Sequence, residues 1–403
     1  MMVPVDRGLV RGSVAPGFEP VADAFCANFS VRGDHGSACA IHWQGEVVVD
    51  LWGGWKDQAG TARWNADTLL LVYSLTKGMT GLAAAVAVSQ GLFSYGQRVV
   101  EVWPEFAAHG KTDITIGQLL SEQAGLAAID LKLSLGNMGD QAAMAAAIAS
   151  QRPNWTPGEW AGNHSYTLGW LTCELIQRCD PAGRTLGQFF AEELAKPLGA
   201  EFYIGLPQPV ARDRLARING FSFLDMFTKH TDMPWSLVFA LIWPWSLSFR
   251  ALNNPLLLRG PGQIDAEPYR EIELGAIGGI GSARALAAIY NEFATGGKKL
   301  GLSRDVLGAL ATGFAKPTHG LQDKVIGMEV YYSLGLEKPS ADWNFAPSPS
   351  AYGTFAVGGS FAFADPADQI AYAWVTNQLG LYKRNDPRER AVRDAFYSCL
   401  QAE

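Results

Sequence analysis

No Cys-x-x-Cys pair, no block of lysine or arginine and no long uninterrupted apolar run occurs in this 403-residue chain. Each gap removes a class of function. The five cysteines, Cys26, Cys39, Cys173, Cys179 and Cys399, are an odd number without metal-ligand spacing. They read as reduced thiols of a cytoplasmic protein rather than as a disulfide framework. The six histidines show neither HExxH nor HxH grouping, so a metal site has no support, and no cofactor is expected. A formal net charge of −7 with dispersed cations argues against a nucleic-acid surface. The longest apolar stretch, "PWSLVFALIWPWSLSF" at 234–249, falls short of a membrane span and is interrupted by Pro244. The opening "MMVPVDRGLVRGSVAPGFEP" has no apolar signal core, so secretion by that route is not expected. There is no Gly-x-Ser-x-Gly elbow, which leaves the α/β-hydrolase route to ester cleavage unsupported.

What is present is a globular composition, 48% apolar and rich in aromatics with 13 tryptophans. "AIHWQGEVVVDLWGG" (40–54) alternates around a Gln-Gly turn and predicts an antiparallel hairpin. An Ala-rich helix is predicted over about 74–90, and further helical segments over 112–126, 140–150 and 167–179. Residues 205–275 are irregular, aromatic and proline-rich, and resemble an insertion or lid. "SARALAAIYNEFAT" (282–295) resumes helix and is closed by Gly296-Gly297. "YYSLGLEK", "GTFAVGGSFAFADP" and "QIAYAWVTNQ" predict a terminal sheet, followed by a last helix, "DPRERAVRDAFYSCLQ".

Chemistry is suggested by "YSLTKG", where Ser74 and Lys77 stand three apart at the predicted start of the 74–90 helix. That spacing puts both side chains on one helix face. A helix N-terminus stabilises charge developing on the serine oxygen, and a lysine in apolar surroundings can act as its base. The same tetrad also occurs by chance as the polar face of an ordinary helix start. Its neighbours decide between the two readings.

Gly91-Leu92, the "WPEF" of 103–106 and the "LLSEQAGL" of 119–126 follow in order, with "WTPGEWAGNHSYTLGWL", "GSARALA" and "GGSFAFADP" further on. In combination these segments resemble the serine β-lactamase-like superfamily, specifically class C-like family VIII carboxylesterases. The likeness covers nearly the whole chain and is loosest over 205–265. It implies an α/β (α+β) fold of the β-lactamase/transpeptidase kind, an antiparallel sheet flanked by helices plus an all-helical lobe. The expected organisation is a single domain, with a sheet lobe from about 1–70 and 276–403. A helical lobe over about 71–275 would carry an aromatic insertion at 221–260.

By this resemblance Ser74 matches the acylated nucleophile and Lys77 the lysine beside it. The family then places a tyrosine five residues after a Pro-Gly turn. Counting from Gly158 reaches Asn163, which can hydrogen-bond but cannot transfer protons near neutrality. Three readings stay open: Lys77 as sole base with Asn163 positioning it, His164 in the tyrosine's part, or Tyr166 reaching in from the next turn. His164 is alternatively a buried histidine satisfied by backbone. The third family element, a Lys/His-x-Gly strand, has become Thr354-Phe355-Ala356. Backbone N–H groups survive such changes, so the amides of Ser74 and Val357 are expected to form the oxyanion hole. Loss of the cationic side chain at Thr354 points away from carboxylate-bearing substrates and toward uncharged esters, with Phe355 as an apolar wall.

In the insertion, Trp235, Trp243 and Trp245 read as lining a pocket for a bulky apolar substrate. The alternatives are a homo-oligomer contact, a peripheral membrane contact or plain core, and membrane contact is not favoured. Gly278-Gly279-Ile280-Gly281 lacks nucleotide-loop spacing and reads as a tight entry to the 282–295 helix. The expectation is therefore a cytoplasmic serine hydrolase acting on a small, apolar ester or acyl substrate. Acyl transfer to an alcohol or amine, and ligand binding without turnover, are the alternatives.

Overall fold

The computed structural model describes residues 2–134, 136–221, 225, 234–256 and 261–402. Much of the predicted insertion, at 222–224, 226–233 and 257–260, lies outside the described residues.

Among the described residues, twelve strands form two sheets. The larger has nine strands, all antiparallel, contributed by β1 (Val3–Arg7), β2 (Val10–Val14), β3 (Gly36–Trp43) and β4 (Glu46–Gly54) from one end of the chain. The other end supplies β8 (Tyr331–Ser333), β9 (Leu336–Lys338), β10 (Tyr352–Phe355), β11 (Phe361–Asp365) and β12 (Ile370–Thr376). Their order is β1-β2-β4-β3-β12-β11-β10-β9-β8. The predicted hairpin is β3–β4, and Gln44 and Gly45 at its tip both take positive φ, 53° and 87°. That pair of left-handed residues matches the twist of the flanking strands.

The sheet is covered on both faces, so β12 reads as a continuous apolar run with every residue buried. Large and small side chains nevertheless alternate along it. Ile370, Tyr372 and Trp374 join the cluster under helices α1 (Glu19–Val31) and, at the C-terminus, Pro387–Ala402. Ala371, Ala373 and Val375 face the other way, with Ala40, Ala362 and Ala364, against the helix Ala283–Ala294. Small residues on that face let a helix lie close to the sheet, while the aromatics fill the opposite layer.

A small sheet, β5 (Leu70–Leu71), β7 (Gly279–Gly281) and β6 (Phe202–Ile204), sits at the mouth of helix α2 (Leu75–Ser89). Strands of two and three residues carry no usable period, and the sequence gives no sign of them. Gly279-Ile280-Gly281, expected as a tight entry to the 282–295 helix, is instead the central strand here, and that helix begins directly after it. The predicted 112–126 helix is much shorter: α3 spans Ile116–Leu120, capped by a Thr115–Gln118 capping box. It stops because Glu122 turns left-handed at φ 56°, and Gly125 follows at φ 73°. Helix α5 (Thr167–Cys179) packs against α2, and helix α4 (Gln141–Ser150) packs against α5 and residues 104–110.

Candidate active site

The site begins with the corner between β5 and α2. Tyr73 has φ 47°, a conformation costing a non-glycine residue about 1–2 kcal/mol, so its surroundings must hold it. They do. The Val72 N–H donates to the Gly279 carbonyl at 2.9 Å, and the Gly279 N–H donates to Thr76 Oγ1 at 2.8 Å. The turn delivers Ser74, half-buried, at the N-cap of α2. An N-cap serine ordinarily spends its oxygen on its own helix. Here the side chain makes no capping bond, which leaves Oγ available.

One turn on, Lys77 is 3% exposed and its side-chain nitrogen makes two hydrogen bonds in a polar nest. Nζ donates to Glu122 Oε1 at 2.8 Å and to Asn163 Oδ1 at 3.1 Å, and lies 5.5 Å from the centre of the Tyr332 ring. The second Glu122 oxygen accepts the His164 N–H at 2.6 Å. Asn163 Oδ1 also accepts from Ser165 Oγ at 3.0 Å. The Asn163 N–H donates to Asp323 Oδ2 at 2.9 Å, an oxygen shared with the Tyr332 hydroxyl at 2.7 Å. Two separate segments therefore grip the lysine, one through Glu122 and one through Asn163.

His164 does not take the missing tyrosine's place. Its Nε2 accepts the Leu126 N–H at 3.0 Å, which fixes the proton on Nδ1, and that N–H donates to the Gly162 carbonyl at 2.6 Å. Both ring nitrogens are used, and burial drives its pKa down to about 3, so the ring is neutral. It is a buried histidine satisfied by backbone. Tyr166 is the N-cap of α5, where its ring stacks on Trp170 with centroids 6.4 Å apart. Burial pushes its phenol up to about 12, and among the described residues it makes no hydrogen bond to Lys77, Ser74 or Asn163.

On the facing strand, Thr354 points toward α2. A Cβ at Gly78 would lie 2.5 Å from both Thr354 Oγ1 and the Tyr290 hydroxyl, so only glycine fits there. Phe355, expected to wall the cleft, lies on the other side of the sheet because strand residues alternate in direction. It packs edge-on against Trp343 at 5.4 Å in the cluster with Phe361. The N–H groups of Ser74 and Val357 have no acceptor within the protein among the described residues, which leaves both free for an oxyanion. Trp235, Trp243 and Trp245 are 58%, 60% and 76% exposed instead of lining a closed pocket. A cavity of about 730 Å³ nearby is lined by Pro244, Phe249, Asn253 and Leu256 of that region, with Ile129 and Tyr269 opposite.

Sequence reasoning missed two carboxylates. Glu122 lies inside the "LLSEQAGL" segment but reads there as a variable position, since only the fold brings it to Lys77. Glu337 on β9 is buried within electrostatic reach of Lys77 and Glu122. Burial pushes its carboxyl up to about 8, against the pull of Arg384 and Lys77. Its one signal in sequence is an acidic residue inside an otherwise buried strand. Among the described residues no group of three or more His, Cys, Asp or Glu is placed to hold a metal ion. Nor, among them, is any helix long and apolar enough to cross a membrane.

Comparison with known proteins supplies the family. The beta-lactamase family pattern matches residues 27–396. The chain belongs to the beta-lactamase family. It is 31% identical over 373 residues to the esterase/beta-lactamase LipL of Mycobacterium tuberculosis, covering 92% of this chain and 83% of that protein. The crystal structure of a family VIII carboxylesterase is 32% identical with a TM-score of 0.84, over 97% of this chain and 100% of the other. A penicillin-binding-protein homologue from Caulobacter crescentus is 30% identical with a TM-score of 0.83, again over 97% and 100%. Within the beta-lactamase family, the chain is a carboxylesterase-type hydrolase with the fold its sheet and helices display.

Proposed function

We propose that this beta-lactamase-family hydrolase cleaves uncharged carboxylic esters through an acyl-enzyme on Ser74. Ser74 Oγ attacks the ester carbonyl, its proton passes to Lys77, and the Ser74 and Val357 N–H groups hold the oxyanion. The alcohol departs with the proton, and water then releases the acid. The observation carrying this reading is the uncapped Ser74 hydroxyl one helical turn from a lysine locked by Glu122 and Asn163. The substrate class follows from Thr354: no cationic side chain stands at the strand position that would meet a carboxylate. A cytoplasmic location is proposed on the sequence alone, because an odd set of five cysteines without metal-ligand spacing fits reduced thiols.

Incubation with a short-chain aryl ester, followed by intact-mass measurement, tests the reading. The wild type should gain the acyl mass on Ser74 and turn over, and Ser74→Ala should do neither. Identical behaviour of the two proteins defeats it. Adding an alcohol to the same assay reads hydrolysis against acyl transfer from the partition of products.

A further inference from the structure

The Lys77 ammonium presents a chemical difficulty. A protonated lysine has no lone pair with which to accept the Ser74 proton, and this one donates to a carboxylate 2.8 Å away. Both partners are 3% exposed, so no solvent stands ready to remove the proton. Glu122 is also held where it is at some expense. It takes a left-handed backbone conformation that a glutamate adopts reluctantly. Its Oε2 is fixed by the His164 N–H and its own carbonyl accepts the Gly162 N–H at 3.2 Å. A strained, buried glutamate aimed at the one lysine beside the nucleophile is a placement that helix packing alone does not require.

We propose that Glu122 is the proton reservoir of the Ser74–Lys77 couple, taking the ammonium proton from Lys77 so that the lysine can receive the one on Ser74. The inference rests on the acyl-enzyme reading above. In the ground state the proton lies on Lys77 Nζ. It transfers to Glu122 Oε1, and the freed lone pair on Nζ accepts the Ser74 Oγ proton as Oγ bonds to the ester carbon. The carbonyl π pair moves to the oxyanion. On collapse that pair re-forms the carbonyl and the bond to the alkoxy oxygen breaks. The leaving oxygen takes a proton from Nζ, and Glu122 returns its own to the lysine. No proton is exchanged with solvent, and the cluster starts and ends with the same charge. Glu122 acts through Lys77, and Asn163 holds the Nζ in register while the proton moves.

The groups facing Glu122 are Lys77 from α2, His164 from the segment before α5, Asp323 and Tyr332 from the loop and strand across the site, and Glu337 from β9. His164 is neutral throughout, and Glu337, its carboxyl pushed up to about 8, stays mostly protonated up to about pH 7. Because the proton passes between Lys77 and Glu122 and is not exchanged with solvent, acylation by the wild type should be independent of pH between about pH 5.5 and pH 7. Removing the carboxylate forces the lysine proton out to solvent, and the rate should then rise about tenfold per pH unit.

The test is the pre-steady-state burst of Ser74 acylation by a p-nitrophenyl ester across that range, with the adduct confirmed by mass. The wild type should be flat, and Glu122→Gln should be slowed about 100-fold or more at pH 6 and climb steeply with pH. A flat profile for Glu122→Gln, at any rate, overturns the proposal, as does a wild-type rate that climbs tenfold per unit. Should Glu122→Gln fail to fold, Glu122→Asp decides. It keeps a carboxylate at shorter reach and should retain the flat profile at a rate down about tenfold, whereas a pH-dependent profile would again overturn the inference. If the wild type forms no adduct on Ser74, it is the acyl-enzyme reading that has failed.

Discussion

At the scale of single residues, the site shows what a sequence can disclose and where disclosure ends. Ser74 and Lys77 are legible because a helix repeats every three to four residues, so spacing alone puts them on one face. Asn163 is legible as a departure from a family pattern. Glu122 and Glu337 are not, because their side chains arrive from elements far away in sequence, one of them through a backbone turn that no local pattern announces. Glu337 also carries a testable electrostatic consequence. Its folded pKa of about 8 lies above the ordinary value of 4.5. The folded state therefore holds a proton that the unfolded chain releases, and its contribution to stability is complete below pH 4.5. That contribution is lost as pH rises toward 8, where the buried carboxyl must ionise. Glu337→Gln removes this dependence while keeping the shape. Its unfolding free energy in urea should match wild type near pH 5 and exceed it by about 1–3 kcal/mol at pH 8.5. Equal stability at both pH values would show that the carboxyl is not held neutral by the fold.

Among the elements, α2 answers to two demands that pull its composition in opposite directions. It must be helical, which favours alanine, and it must lie against the β8–β9 turn closely enough to present Lys77 to the site. Gly81 serves the second demand: a Cβ there would meet the Leu334 carbonyl oxygen at 2.8 Å and the Gly335 Cα at 2.9 Å. Both are backbone atoms, which cannot swing aside as a flexible side chain would. Alanine should gain about 1 kcal/mol in helix propensity and lose more through displacement of the turn. We expect Gly81→Ala to lower the unfolding free energy by about 1–3 kcal/mol in denaturant titration, and a stabilised variant would mean the turn yields freely. The long helices and the β3–β4 hairpin are legible because their periods persist over many residues. The segment "GTFAVGGSFAFADP" reads as strand throughout, yet it splits into β10 and β11 around Ala356–Ser360, and that break carries the Val357 N–H. Turns of this kind depend on what packs behind them, which the local sequence does not encode.

For the whole molecule, the question is what holds that turn. The central pairing of the large sheet joins β3 to β12, from opposite ends of the chain, and the C-terminal helix closes over one face beside α1. Arg388, near the start of that helix, reaches into the seam. It donates to Asp386 Oδ1 at 2.9 Å, to the Gln378 carbonyl at 2.8 Å and to the Gly358 carbonyl at 3.1 Å. A longer contact, 3.4 Å, joins it to Asp34 at the entrance to β3. Gly358 directly follows Val357, and its carbonyl also accepts the Gly380 N–H at 3.0 Å. One guanidinium thus ties the first strands, the last strand and the last helix to the loop that presents the Val357 N–H, the proposed oxyanion-hole donor. A lysine keeps the charge but has no planar fork with which to satisfy these partners together. Arg388→Lys should therefore cost about 2–3 kcal/mol of stability. Because a donor displaced by a fraction of an ångström weakens only the transition state, kcat should fall about tenfold with KM nearly unchanged. Thermal unfolding and steady-state ester hydrolysis measure the two effects separately. A loss of stability with kcat intact would confine Arg388 to holding the fold, and would mean that the Val357 turn is fixed by its own strands.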